Sequence, residues 1–339
     1  MIPLSQLRRI GSGLVRPECV IAHASGVLLC ADWAGEGGIA LVDPTTGGVS
    51  RVEARGTNRP MRPNGIALEP GGSVLMADLG AESGGVFRLH PDGAVEPVIE
   101  TFESRPLPPT NFVHRDPQGV LWITVSTRRS PRDLGYRPNV DDGFILRADD
   151  RDVRLVADGL GYTNECHLTP DGRHLYVNET FTRRLSRFPL RADGSLGEKE
   201  VVCEFGEGTF PDGLTFDEQG GVWITSIVSN RVIRVAPDGR TDLVLEDADS
   251  DHLAEVERAW REHRLGRPHL DRAPAARLRN VSSLAFGGPD LRIAYLGCLL
   301  GDAIEAFEAP IPGAPPPHWN FPLGALAERL PTRPPETTS

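Results

Sequence analysis

The chain is poor in aromatic residues, 6% of 339, which leaves little anchoring material for a protein-docking rim. Its five cysteines, Cys19, Cys30, Cys166, Cys203 and Cys298, include no CxxC pair, so neither a zinc knuckle nor a redox dithiol is indicated. They read as small buried hydrophobes in a reducing compartment. No apolar run reaches membrane-spanning length, and Met1 to Arg9 holds no apolar secretion segment. A soluble, cytoplasmic protein with no membrane partner is expected. A Gly-x-Ser-x-Gly elbow is missing, which argues against a serine hydrolase, and so is a phosphate-binding Gly-rich loop between a strand and a helix. Positive charge is in deficit as well. The net charge of −11 would repel nucleic-acid phosphates, so no nucleic-acid partner is expected, and it suits a bound cation.

What the chain does contain is a repeat. Phe210 through Thr225 reads as a polar residue, an alternating apolar strand, a Gly-bearing turn and a second apolar strand, which is a β-hairpin. Equivalents begin at Glu18, Asn64, Asn111, Asn164, Asp212 and Ser282, with spacings of 46, 47, 53, 48 and 70 residues. Each carries its own turn, such as Pro70-Gly71-Gly72, Pro170-Asp171-Gly172 or Pro237-Asp238-Gly239. A unit of about 40–50 residues holding several short strands is the period of a propeller blade. The fold expected is therefore all-β, a six-bladed β-propeller in one domain over 1–309. Leu4 to Val15 precedes the first blade, and pairing of that segment into the last blade would leave no free edge.

Two irregularities interrupt the repeat. Blade three extends a loop over 127–142 that contains Arg128, Arg129, Arg132, Tyr136 and Arg137. The interval 247–279, between blades five and six, predicts a short helical insertion. There Asp249-Ser250-Asp251 can cap, and Leu253, Val256, Trp260 and His263 recur at helical spacing. Either could lid the channel. Residues 310–339 form a Pro-rich C-terminal tail, with the last dozen residues expected to be disordered.

The residue that opens the innermost strand of a blade points toward one mouth of the channel. Those positions are Glu18, Asn64, Asn111, Asn164, Asp212 and Ser282. All carry oxygen, two are anionic, and none is His or Cys. An all-oxygen ring selects a hard divalent ion, calcium first, then magnesium or manganese. Asn64 has a competing explanation as the first residue of an Asn-Gly turn. Glu18 and Asn164 precede Cys19 and Glu165, so that explanation does not extend to them.

The segments Arg16-Pro17-Glu18, Arg62-Pro63-Asn64-Gly65, Thr163-Asn164, Pro211-Asp212-Gly213-Leu214 and Val222-Trp223-Ile224 resemble the senescence marker protein/gluconolactonase/regucalcin-like family over residues 14–308. The resemblance implies six blades, one divalent ion near the top of the channel and, in many members, lactone hydrolysis. It makes Glu18, Asn164 and Asp212 the protein ligands of that metal, and sets Asn111 against the substrate. Sugar lactonases of the family resemble Arg-x-Asn-Asp-Gly at the blade-three asparagine. This chain has Pro109-Thr110-Asn111-Phe112-Val113, so the substrate expected is not a simple sugar lactone.

The function expected is metal-dependent opening of a small lactone or ester by activated water, in a monomer or homodimer. Calcium is the leading ion, with magnesium, manganese or zinc as alternatives. Asp212, Glu165 or His114 could take the water's proton, Asp212 first because its position converges on the ion, and Asn111 serves as oxyanion donor. Asn64, Asn111, His114, Tyr136 and Arg137 are the expected substrate contacts. His114 also reads as a structural histidine, since strand alternation turns it away from Asn111. The rival readings are a non-catalytic calcium-binding or scaffold propeller, and a metal-dependent esterase or phosphotriesterase.

Overall fold

A computed structural model describes residues 1–331. Six four-stranded antiparallel sheets are arranged around an axis. Their innermost strands are Val20–Ala22, Pro63–Leu68, Thr110–Arg115, Thr163–Leu168, Thr209–Phe216 and Val281–Gly287, and each touches the innermost strands of its two neighbours. The sixth sheet takes its outermost strand from the start of the chain. Arg8–Ile10 pairs with Ile304–Glu308, with Ile10 opposite Ile304, so the ring is clasped within one blade by two distant segments, and Arg8–Ile10 becomes that blade's outer edge.

Apolar residues of adjacent sheets interdigitate to form the core, with Trp122 and Trp223 among the largest fully buried side chains. Both indoles are fixed by the same local device. In blade three, Asp116 accepts Gln118 N, Val120 N and Trp122 Nε1 at 2.9, 2.9 and 3.2 Å. In blade five, Asp217 accepts Gln219 N, Gly221 N and Trp223 Nε1 at 2.9, 2.8 and 2.9 Å. One carboxylate thus closes the hairpin turn and anchors the aromatic that follows it.

The helical insertion is shorter than its sequence pattern. The helix spans Ser250–Arg261, with Asp249 accepting His252 N at its start. It stops before His263, which adopts φ of 58°. A second short helix, Arg267–Leu270, follows. Val256, Ala259, Leu265 and Leu270 pack with Tyr136 of the blade-three loop and with Tyr162, Phe181 and Phe210, and Arg137 donates to Leu265 O. Loop and insertion are therefore one continuous wall at the same channel mouth.

The Pro-rich segment does not leave the body. Ala314 N donates to Phe216 O and Ala24 N to Trp319 O, both at 2.9 Å. Leu323 and Leu326 enter the core between blades one and two, with Phe321 and Leu330 against it. Residues 310–331 thus form a strap across the mouth opposite the loop wall. Residues 328–331, expected to be disordered, are held because Leu330 finds apolar cover and Arg329 reaches Arg51 O at 3.1 Å. The rest of the expected disorder falls on 332–339, outside the described residues. All five cysteines are free, four of them buried. Among the described residues no helix is long and apolar enough to cross a membrane.

Candidate active site

The innermost strands break register at the positions singled out above. Ladder irregularities fall between Pro63 and Ile66, Thr110 and Phe112, Thr163 and Cys166, Pro211 and Leu214, and Val281 and Ser283. Each interval contains the residue that opens its strand: Asn64, Asn111, Asn164, Asp212 or Ser282. A bulge releases a residue from strict alternation and re-aims its side chain. Five different blades use one here.

The glycines that follow Asn64 and Asp212 serve packing, not turning. Neither Gly65 nor Gly213 has a positive φ. A Cβ on Gly65 would lie 2.8 Å from Phe112 Cα, and one on Gly213 would lie 2.5 Å from Ser282 O. The turn explanation for Asn64-Gly65 is thereby replaced by close approach of neighbouring inner strands. Gly213→Ala should destabilise the fold by about 1–3 kcal/mol, since backbone atoms must part to admit the methyl. An unchanged melting temperature for that variant would contradict the close-approach account.

Side chains stitch this ring of strands together. Asn64 Nδ2 donates to Glu18 Oε1 at 2.8 Å and to Asn111 O at 3.1 Å. Ser282 Oγ donates to Glu18 O at 2.8 Å, and Thr225 Oγ1 to Ser282 O at 2.9 Å. Asn164 Nδ2 donates to Thr180 Oγ1 at 3.0 Å, and Asn178 Nδ2 to Asp212 O at 3.0 Å. The donors of Asn64 and Asn164 are thus consumed in holding the frame, which fixes the direction of the oxygens that remain.

Those oxygens have nothing to accept. Glu18 Oε2, Asn111 Oδ1, Asn164 Oδ1 and Asp212 Oδ1 are each enclosed and without a hydrogen-bond partner, and all four residues line one pocket of about 190 Å³. Burial pushes the Glu18 carboxyl up to about 8 against the opposing pull of Arg16. Asp212 is raised well above the usual carboxylate range by burial, then by Glu18 and Glu165. Buried acceptors without donors are costly, and a hard cation is the partner that four such oxygens suit. Among the described residues no three His, Cys, Asp or Glu side chains gather as a metal cluster, so the donor set a divalent ion would meet here is two carboxylates and two amide oxygens, which is of the hard, all-oxygen kind.

Not every expected contact lies here. Tyr136 lines the pocket beside Asn64 and Asn111, its ring tilted against Phe181 with centroids 4.6 Å apart. Ser282 is turned away by its bond to Glu18 O. His114 is three residues further down the channel, in a second cavity beneath the strap with Glu165, His167 and His318. Its ring centroid is 4.8 Å from that of His167, and burial holds its pKa well below the ordinary value. It is a packed neutral ring facing the other mouth. Arg137 is likewise absent from the pocket, because its guanidinium is bound to the carbonyls of Asp133, Tyr136 and Leu265. Arg128 and Arg129 face Asp158 and Asp142. The loop sends Arg132 inward instead, joined by Arg16, Trp33, Tyr162, Phe181 and Arg267. The available signal for Arg16 and Tyr162 was position, since each stands two residues before a candidate ligand.

The signature of the SMP-30/Gluconolactonase/LRE-like region matches residues 16–246. The chain belongs to this family. A 6-deoxy-6-sulfogluconolactonase from Pseudomonas putida is 29% identical over 184 residues, 53% of this chain and 50% of that one. A pentonolactonase from Haloferax volcanii is 28% identical over 163 residues, 47% of this chain and 46% of that one. This family member thus spans about half the length of the curated relatives it matches. Among solved structures, regucalcin from Agrobacterium tumefaciens, described as a calcium-binding protein, superposes with a TM-score of 0.64 at 18% identity over 93% of this chain and 96% of that one. A gluconolactonase from Xanthomonas campestris gives 0.63 at 17% identity over 91% and 89%. Both show the six-bladed fold.

Proposed function

We propose that the protein is a divalent-metal-dependent lactonase whose substrate is not a simple sugar lactone. The observation that carries this reading is the set of four enclosed, partnerless oxygens in one pocket. Family membership and two relatives named as lactonases support the reaction class. The aromatic and aliphatic lining, with Trp33, Leu79, Tyr136, Phe181 and Leu299, supports a substrate less hydroxylated than a sugar.

Glu18, Asn164 and Asp212 would hold the ion, through the oxygens that the frame leaves free. Once bound, it polarises a carbonyl and acidifies water. Asp212 has two carboxylate oxygens, so one can serve as ligand while the other takes the proton of the attacking water. Glu165 is not a competing base at this mouth, because it lines the lower cavity and accepts Leu214 N at 3.0 Å. The Asn111 amide donates to the carbonyl oxygen as it gains charge. The ring C–O bond breaks, the alkoxide recovers the proton from Asp212, and the product is the open hydroxy acid.

Ring opening across aldono-, alkyl- and aryl-lactones, followed by proton release in stripped protein with calcium, magnesium, manganese or zinc restored, tests the reading. Turnover should depend on the ion and be lost in Glu18→Gln. Absence of turnover with every ion and every lactone would sink it. The ligand carboxylates must be ionised to bind, so apparent ion affinity should rise with pH up to about 8, the value to which Glu18 is pushed. Calorimetric affinities that stay flat from about pH 6 to about pH 9 would contradict the ligand assignment.

A further inference from the structure

The hydrolysis derived above makes no use of three arginines that line the same pocket, Arg16, Arg132 and Arg267. They come from three distant segments: the entry to blade one, the blade-three loop and the short second helix of the insertion. Arg16 is held at φ of 54°, an uncommon conformation for a side chain of this size. Its guanidinium lies 4.6 Å from the Trp33 ring, and its Nε is enclosed without a hydrogen-bond partner. Arg132 Nε donates to the Tyr162 hydroxyl at 2.9 Å, and its guanidinium lies 5.5 Å from that ring. Arg267, at the mouth, is joined to Asp271.

With a divalent ion bound, charge in this pocket would be unbalanced in one direction. Among the described residues, neither Arg16 nor Arg132 has a carboxylate within ion-pair reach, whereas Arg51, Arg59, Arg183 and Arg234 each do. The two carboxylates that line the pocket with them, Glu18 and Asp212, would have their charges cancelled by a bound divalent ion. What remains is a cationic wall with planar, fork-shaped donors set among aromatic rings. One of these donors, Arg16 Nε, is enclosed without a partner, which is unfavourable, and the natural partner of such a fork is an oxyanion that accepts two parallel N–H bonds. Neutral lactones offer none.

We infer that the substrate is an anionic lactone, a small ring bearing a carboxylate or sulfonate. Resting on the lactonase reading, this inference names the substrate class. Asn111 engages the carbonyl, while Arg132 and Arg16 hold the charged substituent and Arg267 draws it in at the mouth.

The test compares a γ-butyrolactone carrying a ring carboxylate with its carboxamide of the same size, on ion-loaded protein. The carboxylate should be favoured in kcat/KM by about 10-fold or more, chiefly through KM, and the preference should shrink as salt rises. In Arg132→Gln the carboxylate-to-carboxamide ratio should fall about 10-fold, with Arg132→Lys recovering only part because the planar fork is lost. Arg16→Gln provides an independent arm should either variant fold poorly by circular dichroism. A wild-type ratio near one, or one that neither variant moves, overturns the anionic assignment and leaves the lactonase reading standing. If neither ring opens, calorimetric binding of the same two probes decides. Tighter binding of the carboxylate, lost in Arg132→Gln, supports the anion site, whereas equal binding overturns it; the lactonase reading itself falls only if the whole lactone panel stays closed with every ion.

Discussion

Asp212→Asn should lower kcat/KM for lactone opening by about 10²–10⁴-fold, the range associated with losing a general base, while the ion-free protein becomes no less stable. Both halves follow from the same geometry. Asp212 sits in an enclosed pocket with Oδ1 unbonded, and its carboxyl is raised well above the usual range by burial and by Glu18 and Glu165. A group whose folded pKa is raised contributes stability below its unfolded pKa, near ~4, and loses it as pH rises toward the folded value. At neutral pH the ion-free pocket is therefore a liability that a neutral amide relieves, and stability is given up there for function. Added ion should raise the melting temperature of the wild type, by mass action on the folded state, and do so much less in the variant. Stopped turnover with an unchanged ion response would assign Asp212 to proton transfer alone. Full turnover would remove it from the mechanism.

The propeller was legible because its code is local and repeated. Turns such as Pro170-Asp171-Gly172 and strands such as Val222-Trp223-Ile224 can be read one blade at a time, and equivalent positions converge by symmetry. Glu18, Asn64, Asn111, Asn164 and Asp212 line one pocket for that reason. The misplaced residues depended on contacts that no repeat encodes. In the sequence the arginines of 127–142 are equivalent, and only packing of that loop against the helical insertion turns Arg132 inward while Leu265 O takes Arg137. His114 was set too high in the channel, since each residue advances about 3.3 Å along a strand and three carry it to the lower cavity. The close approach of Gly65 to Phe112 is likewise invisible in a dipeptide that reads as a turn. The Pro-rich strap had no periodicity to declare that Leu323 and Leu326 reach a core between two blades.

Asp217, five residues beyond Asp212 on the same inner segment, should answer substitution in the opposite way. Asp217→Ala is expected to destabilise the fold by about 3–5 kcal/mol, the cost of stranding one member of a buried ion pair. Its Oδ2 accepts Arg234 Nε at 2.6 Å as well as the Trp223 indole, and its Oδ1 accepts two backbone N–H groups. Burial alone would raise its pKa, but Arg234, Trp223 and Gly221 together hold it below the ordinary value. Its stabilisation is accordingly full above the unfolded carboxylate pKa, near ~4, and is lost on acidification below that. Asp116 supports Trp122 in the same way, but no arginine side chain pairs with its carboxylate among the described residues. Asp116→Ala should therefore cost less, about 1–3 kcal/mol for unsatisfied donors. Adding Arg234→Leu to Asp217→Ala removes the stranded guanidinium and should recover part of the loss. Equal melting temperatures for the two aspartate variants, or no recovery in the double variant, would place the energy in the turn and not in the ion pair. The two aspartates of blade five differ in one respect that decides both outcomes: the fold saturates every oxygen of Asp217 and leaves an oxygen of Asp212 open to a ligand.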